Sequence, residues 1–410
     1  MTFDCVVVGG GPAGMFSAIK VAECGYRVLL LEKNDRLGKK LLITGKGRCN
    51  VTNACSSQEV LQNVPRNPRF LYSAMNAFTP ADVIDFFEQA GCALKVERGN
   101  RVFPVSDKAA SVQNALQMQL ERAGVLIKYS CVKKLLWDSD GVNGVETDGG
   151  IYHCKSVILA TGGLSYPTTG SNGDGFRFAQ KMGHTVIPPE GSLVPLETAG
   201  DDCQQMQGLS LRNVGVKLLN GKGKVLYKDF GELLFTHFGV SGPTVLSASA
   251  HLKGDSCKLI IDLKPALDEG KLNDRILRDL DQYQNRTMEN ALTDLLPRSM
   301  ISVILRRIGV DPGLQANSLR KESRRSLVEV LKGFSVEITG KRPVSEAIIT
   351  SGGIKVSEIN PKTMESKLIP RLFFAGEIID CDAYTGGFNL QIAWSTAQAA
   401  ASGVKTVIDK

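Results

Sequence analysis

An apolar segment at residues 3–8 runs directly into a glycine-rich turn, and a helix-type pattern follows it. In this turn Gly9, Gly11 and Gly14 match G-x-G-x-x-G. The first glycine allows the tight turn, the second lets a pyrophosphate approach the backbone, and the third lets helix pack on strand. Free N–H groups at the helix N-terminus then attract phosphate. The predicted contacts are Gly9, Gly11, Pro12, Ala13 and Gly14.

A second apolar segment, residues 27–31, ends at Glu32, 18 residues after Gly14. An acid near this distance binds the ribose hydroxyls of a dinucleotide, so the two features together predict a dinucleotide site. An ordinary βαβ unit with a glycine-rich turn is the alternative. A polar loop follows, whose glycines allow close backbone approach and whose cations offset phosphate charge. Its predicted contacts are Lys33, Lys40, Thr44, Gly45, Gly47, Arg48, Cys49 and Asn50.

Two later strand-like segments end as the first one does, in small residues. Residues 156–159 and 371–374 each lead into small residues, and a glycine-led stretch opens the last predicted helix at 391–402. Small residues at the carboxyl edge of a sheet expose backbone to a ligand, and a helix N-terminus binds anions. Together with Val132, in a strand predicted over 125–136, the further predicted contacts are Ala160, Thr161, Gly162, Gly376, Glu377, Gly387, Phe388, Asn389 and Leu390.

Composition indicates a globular chain, because 43% of its 410 residues are hydrophobic and 22% are charged. Asp4 interrupts the first apolar run, which argues against a signal peptide, and no stretch reaches the roughly 20 apolar residues of a membrane span. The ten cysteines form no C-x-x-C pair, which argues against a disulfide framework or a zinc site. We expect a cytoplasmic protein without a metal.

The order of strand-like and helix-like patterns along the chain predicts an α/β fold in which a Rossmann-like domain is interrupted by an insertion. Residues 1–190 form its first part, 191–263 read as an inserted β-rich domain, 264–335 as an inserted helical domain, and 336–410 as the return. Two stretches are basic. Residues 298–342 hold ten Lys or Arg against four acids, and residues 33–48 hold six against one. Such clusters attract phosphate, or they are solvated surfaces.

Three stretches resemble the family of BaiN-like and YhiN-like flavoproteins. They are Thr44–Asn53, Leu234–Pro243, and Thr363–Lys367 with the continuation through Gly376–Glu377 to Gly386–Gln391. The resemblance covers essentially the whole chain and departs at Phe388, where the family commonly has Tyr. It implies that the dinucleotide is FAD and that the last helix meets the N1/O2 edge of the flavin.

The resemblance also implies an NAD(P)H-linked oxidoreductase. Family members have been connected to reduction of uracil to dihydrouracil in ribosomal RNA, to saturation of 3-oxo bile acids, and to oxidation of aminoacetone. In the first two reactions N5 of reduced FAD gives hydride to an electron-poor alkene carbon while an acid protonates its neighbour. The basic stretch at 298–342 favours ribosomal RNA as substrate. A small-molecule enone is the alternative, and a non-enzymatic flavin-bearing RNA-binding or sensor protein stays open.

The acid is predicted to be Cys49, on the cofactor loop, or His237, in a glycine-flanked polar motif. A packed cysteine and a structural histidine are the alternatives. Tyr384 and Asp380 are further candidates near the last helix. No second strand–GxGxxG–helix unit occurs, so the nicotinamide is expected to bind transiently at the flavin face. The sequence leaves the choice between NADH and NADPH, and the oligomeric state, open.

Overall fold

A computed structural model describes residues 2–252 and 257–410. Its strands are β1 Thr2–Val8, β2 Val28–Glu32, β3 Thr52–Asn53, β4 Leu94–Glu97, β5 Arg101–Pro104, β6 Leu126–Tyr129, β7 Val132–Asp138, β8 Gly141–Thr147, β9 Gly150–Leu159, β10 Val186–Ser192, β11 Leu196–Thr198, β12 Ser210–Asn220, β13 Val225–Thr236, β14 Gly239–Ser241, β15 Cys257–Asp262, β16 Phe334–Lys341, β17 Ile349–Ile354 and β18 Leu372–Phe374.

Its helices are α1 Pro12–Ala22, α2 Lys39–Ile43, α3 Ser57–Gln62, α4 Tyr72–Ala77, α5 Pro80–Gln89, α6 Ala109–Arg122, α7 Asp174–Lys181, α8 Asp202–Gln205, α9 Pro243–Ser249, α10 Glu269–Gln282, α11 Met288–Ala291, α12 Arg298–Arg307, α13 Lys321–Lys332 and α14 Phe388–Ile408. The chain divides into two compact units, the first formed by residues 1–192 with 344–410 and the second by residues 193–343.

The first unit is built on a sheet with strands in the order β6-β2-β1-β9-β8-β7, and β18 also pairs with β9. β6, β2, β1, β9 and β18 are parallel, whereas the β7–β8 ribbon is antiparallel. Parallel strands buried on both faces need continuous apolar sequence, and residues 5–8 and 28–31 supply it. Helices α1, α6 and α14 contact one another or the sheet, and Phe16 of α1 meets Trp394 of α14 edge-on at 5.7 Å. This Rossmann-like arrangement confirms the predicted α/β class.

The second unit contains a closed barrel in which β11, β14, β13, β12, β15 and β16 follow one another. Alternate residues of β12 point inward, including Val214, Val216 and Leu218. Helices α10, α12 and α13 share the same apolar core as the barrel, with Ile276 and Ile304 fully buried in it. Barrel and helices therefore form one unit.

Two strands connect the units along the chain. β10 ends the outgoing chain and β17 receives the returning chain, and the two pair antiparallel with Ser192 opposite Ile349. The sequence suggested a return at residue 336, whereas β16 runs to Lys341 and pairs with β15 and β11. The reason is geometric, since β16 closes the barrel and so belongs to the second unit.

The strand predicted over 125–136 is two strands in the structure. β6 joins β2 in the parallel sheet, and β7 turns into the antiparallel ribbon with β8. The two strands are separated by Ser130 and Cys131. Here the carboxylate of Asp148 accepts hydrogen bonds from the Ser130 hydroxyl and, at 3.1 Å, from the Cys131 N–H.

Candidate functional site

In the glycine turn after β1, two of the three motif glycines lie close to other backbone atoms and the third does not. Gly9 has φ of 106°, and a Cβ atom there would lie 2.6 Å from the carbonyl oxygen of Ala160. A Cβ on Gly14 would lie 1.8 Å from the carbonyl oxygen of Gly9. At Gly11, by contrast, a Cβ would meet no atom of the described chain within 4 Å beyond its immediate neighbours. The turn therefore has no room for a side chain at Gly9 or Gly14, whereas Gly11 faces open space.

Glu32 ends β2 and lies buried beside this turn, with 7% of its surface exposed. One carboxylate oxygen accepts the Gly10 N–H at 2.7 Å, and the other accepts the backbone and side-chain N–H groups of Asn34 at 2.8 and 2.6 Å. The Asn34 amide also donates to Thr169 O at 3.1 Å. The carboxylate is thus fixed at the carboxyl edge of the sheet, with acceptor capacity left for a ligand.

Lys33, which follows Glu32, binds the loop of Asn172 and Asp174 at the carboxyl edge of the sheet. Its ammonium group donates to Asn172 Oδ1 and Asp174 Oδ2, each at 2.7 Å. Asn172 and Asp174 belong to the glycine-rich stretch that follows the second strand end, where Ala160 N–H donates to Val8 O at 2.9 Å and Gly162 has φ of 72°. The strand end and the loop after it therefore lie next to the predicted ribose-binding acid.

The loop after α2 is tightly wound. Gly45, Lys46, Gly47 and Cys49 all have positive φ, between 57° and 84°. The Thr44 hydroxyl donates to Leu41 O at 2.7 Å, and Thr44 O accepts the Cys49 N–H at 3.1 Å. This backbone path brings the Asn50 side chain to a place where its Oδ1 atom is buried without a partner among the described residues.

Arg48 of the same loop is engaged by protein carboxylates. Its guanidinium pairs with Glu97 and with Asp107, and it stacks on the Phe103 ring with 4.1 Å between the guanidinium carbon and the ring centroid. An arginine held by two acids has little charge left for phosphate, so its side chain positions the loop. Its predicted cofactor contact would then come from the backbone.

A polar cluster lies where β18 ends. Lys40 donates to Glu377 Oε2 at 2.6 Å and to the Ser165 hydroxyl at 2.7 Å. Glu377 Oε1 accepts the Thr350 N–H at 2.8 Å and the Ser165 hydroxyl at 3.0 Å. Burial by itself would raise the pKa of Glu377, but Lys40 and these hydrogen bonds hold it below its ordinary value. Glu377 is therefore ionised at neutral pH.

The last helix begins against strand β3. Gly387, its N-cap residue, has φ of 97°, and a Cβ there would lie 2.3 Å from Thr52 O. The Thr52 hydroxyl donates to Gln391 Oε1 at 2.5 Å, and the Asn53 amide donates to Gly386 O at 3.0 Å. The backbone N–H groups of the first helical turn have no intrahelical acceptor. The cofactor loop and this positive helix end are thereby joined.

Asn389 shapes the same entry from inside the first turn. Its Oδ1 accepts the Ala383 N–H at 2.9 Å and its amide donates to Ala383 O at 2.7 Å. Phe388 is buried, and Leu390 is half-buried. The side chain of Asn389 is thus committed to the loop before the helix, so any ligand contact there comes from backbone.

These features fit a dinucleotide. The open space at Gly11 lies at the N-terminus of α1, which has no side-chain cap. Two buried side-chain oxygens, Asn50 Oδ1 and Thr161 Oγ1, have no partner among the described residues. Buried polar atoms without a partner are costly, so an acceptor or donor of a ligand explains them better than an empty site does.

The family model of the HI0933-like protein Rossmann domain matches residues 3–403. The chain belongs to this HI0933-like family. The protein is similar to a "Ribosomal RNA dihydrouridine synthase" of Escherichia coli, 31% identical over 401 residues and 97% of each chain. It is also similar to a "3-dehydro-bile acid delta(4,6)-reductase" of Clostridium scindens, 30% identical over 96% of this chain and 97% of that one. The resemblance identified from the sequence is confirmed.

Among solved structures, 3-ketosteroid delta1-dehydrogenase from Sterolibacterium denitrificans matches with a TM-score of 0.51 and 13% identity, over 100% of both chains. At that identity the match shows the fold alone. Membership of this family makes the HI0933-like protein an FAD-dependent oxidoreductase. No helix among the described residues is long and apolar enough to span a bilayer, and those residues contain no cluster of three metal-ligating side chains.

The two predicted acids of the HI0933-like protein lie in different units. Cys49 is fully buried in the first unit, and burial raises the pKa of its thiol to about 12 although Thr44 opposes this. His237 is exposed in the turn between β13 and β14 of the second unit, edge-on to Phe238 at 5.0 Å. The thiol thus keeps its proton at neutral pH, whereas the imidazole is open to solvent.

Val132, predicted as a cofactor contact, begins β7 and is buried with 8% exposed. It pairs with Thr147 of β8 and belongs to the core of the first unit. Its backbone, rather than its side chain, is the part that lies at the edge of the ribbon.

The sequence did not reveal a second buried carboxylate. Asp382 accepts the hydroxyls of Ser192 at 2.9 Å and Ser351 at 2.8 Å, and burial raises its pKa although these bonds oppose the rise. The neighbouring Asp380, a further candidate acid, is paired with Arg66 and accepts the Asn67 amide at 3.1 Å. Only the alternation of acids at 380 and 382 before a glycine-led helix could have indicated this cluster.

The basic stretch at 298–342 carries less free charge than its sequence indicates, because at least half of its cations are paired with carboxylates of the second unit. The pairs are Arg306–Asp201, Arg306–Asp202, Arg307–Asp202, Arg325–Glu329, Lys332–Asp262 and Arg342–Glu197.

Proposed function

We propose that this enzyme uses FAD and NAD(P)H to reduce the C5–C6 double bond of uracil in ribosomal RNA. The observation that carries the proposal is that two full-length relatives, at 31% and 30% identity, have names describing one bond change. A dihydrouridine synthase and a delta(4,6)-reductase both saturate a carbon–carbon double bond. The family likeness thus supports the reaction type more strongly than the substrate.

The residues of this chain are suited to binding FAD for this reaction. We propose that Gly11 and the α1 N-terminus receive the pyrophosphate, Glu32 the ribose, and the α14 N-terminus the electron-rich edge of the flavin. Once reduced, FAD would supply the hydride. Because the sequence contains no second strand–GxGxxG–helix unit, NADH or NADPH would bind transiently.

Cys49 and His237 are the proposed proton donors. Burial gives the Cys49 thiol a pKa of about 12, which keeps it protonated at neutral pH but makes it a weaker acid than a free thiol. Cys49 shares its loop with Asn50, whose Oδ1 atom has no partner among the described residues. Replacing the true donor by alanine should slow substrate-dependent reoxidation of the reduced flavin by about 100-fold or more while leaving flavin reduction unchanged. Equal reoxidation rates for Cys49→Ala and wild type would remove Cys49 from this role, and the same comparison decides for His237→Ala.

The deciding experiment uses FAD-loaded protein reduced anaerobically with NADH or NADPH. Unmodified ribosomal RNA is added, flavin reoxidation is followed by absorbance, and the RNA is searched by mass spectrometry for a gain of two hydrogens at uridine. Reoxidation with that gain supports the proposal. Reoxidation without it, or none, contradicts it.

A small-molecule enone is the second candidate, favoured by the match to the bile acid reductase. If a 3-oxo-4-ene steroid reoxidises the flavin and RNA does not, this function replaces the first. Rapid reoxidation by oxygen with aminoacetone as reductant would instead indicate an amine oxidase.

The ten cysteines are all unpaired thiols, which supports the proposed cytoplasmic location.

A further inference from the structure

The hairpin of β12 and β13 exposes a concentration of positive charge that lies outside the two basic stretches at 33–48 and 298–342. We call Lys217, Lys222, Lys224, Lys228 and Phe230 the hairpin surface. All five residues are exposed, and Phe230 keeps 55% of its surface accessible. This is the reverse of the stretch at 298–342, where ion pairs within the second unit neutralise at least half of the cations.

The strand register puts like charges side by side. Lys217 of β12 lies directly opposite Lys228 of β13, and Gly215 lies opposite Phe230. Opposed residues of an antiparallel pair share a face, so both ammonium groups and the aromatic ring lie on the outer face of the barrel. Facing like charges destabilise a sheet, and an anion bound between them would remove that cost.

No carboxylate compensates these lysines within residues 2–252 and 257–410, where none of the four lies in an ion pair. Two acids of the neighbouring strand positions are engaged by other groups. Asp262, opposite Gly215 on β15, pairs with Lys332 at 2.7 Å. Asp229 accepts the Tyr227 hydroxyl at 2.8 Å. The positive charge of the hairpin surface is therefore available to a partner.

The turn at the tip is held in one shape. Asn220 Oδ1 accepts the backbone N–H groups of Lys222 at 3.1 Å and Lys224 at 2.9 Å, and Asn220 O accepts the Gly223 N–H at 2.8 Å. A fixed turn presents its two lysines at little further entropic cost on binding. Together with the Lys217–Lys228 pair, it places four exposed cations and one exposed aromatic ring on a single hairpin.

We propose that the hairpin surface is where the enzyme holds RNA. The four ammonium groups contact phosphates, and an unpaired base stacks on the Phe230 ring. Successive phosphates along a strand suit a group of exposed lysines, and stacking on an exposed aromatic ring distinguishes a nucleic acid from a purely anionic partner. This inference rests on the proposed function and names the surface that binds its substrate.

The test measures binding of a fluorescent, uracil-containing RNA stem-loop to the full-length, FAD-loaded enzyme by anisotropy across a salt series. Lys217→Ala with Lys228→Ala should weaken binding about tenfold or more near 0.15 M salt and lower the log–log salt slope by about 1.4. Arg320→Ala with Lys321→Ala is the matched control, because it removes the same charge from exposed positions of the same unit. The control should change affinity by less than about twofold.

The aromatic contact has its own variants. Phe230→Ala should weaken binding about fivefold or more, and Phe230→Tyr should restore it to within about twofold of wild type, because any aromatic face stacks. Tyr72→Ala, at a ring 65% exposed in the first unit, serves as the control. Calorimetry, which detects the unfolding transition of each unit, and FAD content together verify that every variant is folded.

The outcomes separate this inference from the proposed function. If wild type binds RNA and reduces uridine but the hairpin variants bind equally well, the hairpin inference is wrong and the function stands. If wild type does not bind RNA, both fail. If a polyglutamate peptide of matched charge competes as well as RNA does, the surface docks an acidic protein and the RNA inference is overturned.

Discussion

At the scale of single residues, Gly11 is a position where a substitution should affect cofactor binding without affecting folding. Its φ of −77° suits any residue, and a Cβ would enter open space. Gly11→Ala should therefore leave the free energy of unfolding of the FAD-free protein within about 0.5 kcal/mol of wild type, while weakening FAD binding about tenfold or more because the methyl group takes pyrophosphate space.

Urea unfolding of the FAD-free protein and fluorescence titration with FAD measure the two effects separately. Gly14→Ala is the contrast, since its Cβ would lie 1.8 Å from Gly9 O and should disrupt folding itself. Unchanged FAD affinity in Gly11→Ala would place the cofactor elsewhere.

The Lys40–Glu377 pair gives a pH dependence with a definite sign. The pKa of folded Glu377 lies below its ordinary 4.5, so its contribution to stability is complete above that pH and is lost as pH falls through the folded pKa. In FAD-free protein Glu377→Gln should cost about 1 kcal/mol at pH 7, since both side chains are about a fifth exposed, and flatten the fall in stability below pH 4.5.

Urea midpoints measured between pH 7 and pH 3.5 test this expectation. Glu121→Gln, at an exposed position, is the matched control and should follow wild type throughout. A wild-type slope in the Glu377→Gln variant would show that the pair does not stabilise the fold.

At the scale of elements, the two connecting strands depend on one carboxylate. Asp382 accepts a hydroxyl from Ser192 of β10 and another from Ser351 of β17 while only 2% exposed. Ser192→Ala with Ser351→Ala should lower the free energy of unfolding of the first unit by about 2–3 kcal/mol, because a buried carboxylate loses both side-chain donors.

Tryptophan fluorescence during urea unfolding reports this change, because the two tryptophans, Trp137 and Trp394, both belong to the first unit. Ser139→Ala with Ser402→Ala, at exposed positions of the first unit, is the control. A loss no larger than that of the control would mean that the strand pairing alone holds the connection.

At the scale of the whole molecule, two separate cores predict two unfolding transitions. All the proposed FAD contacts belong to the first unit, so FAD at about 100 times its dissociation constant should stabilise that unit by about 2.7 kcal/mol and leave the second unchanged. Calorimetry detects both transitions, and tryptophan fluorescence identifies the first. Equal shifts of both transitions with FAD would contradict the prediction.

The glycine turn, the acid after β2, the α/β class and the family could be predicted from residue order alone, because they depend on local backbone geometry and residue spacing. Which charges remain free depends instead on tertiary contacts. Lys40 meets Glu377 from the far end of the chain, since the carboxyl ends of parallel strands share one edge. Likewise, acids distant in sequence neutralise the basic stretch at 298–342, whereas strand register leaves Lys217 facing Lys228. A count of charges along a chain does not contain these pairings.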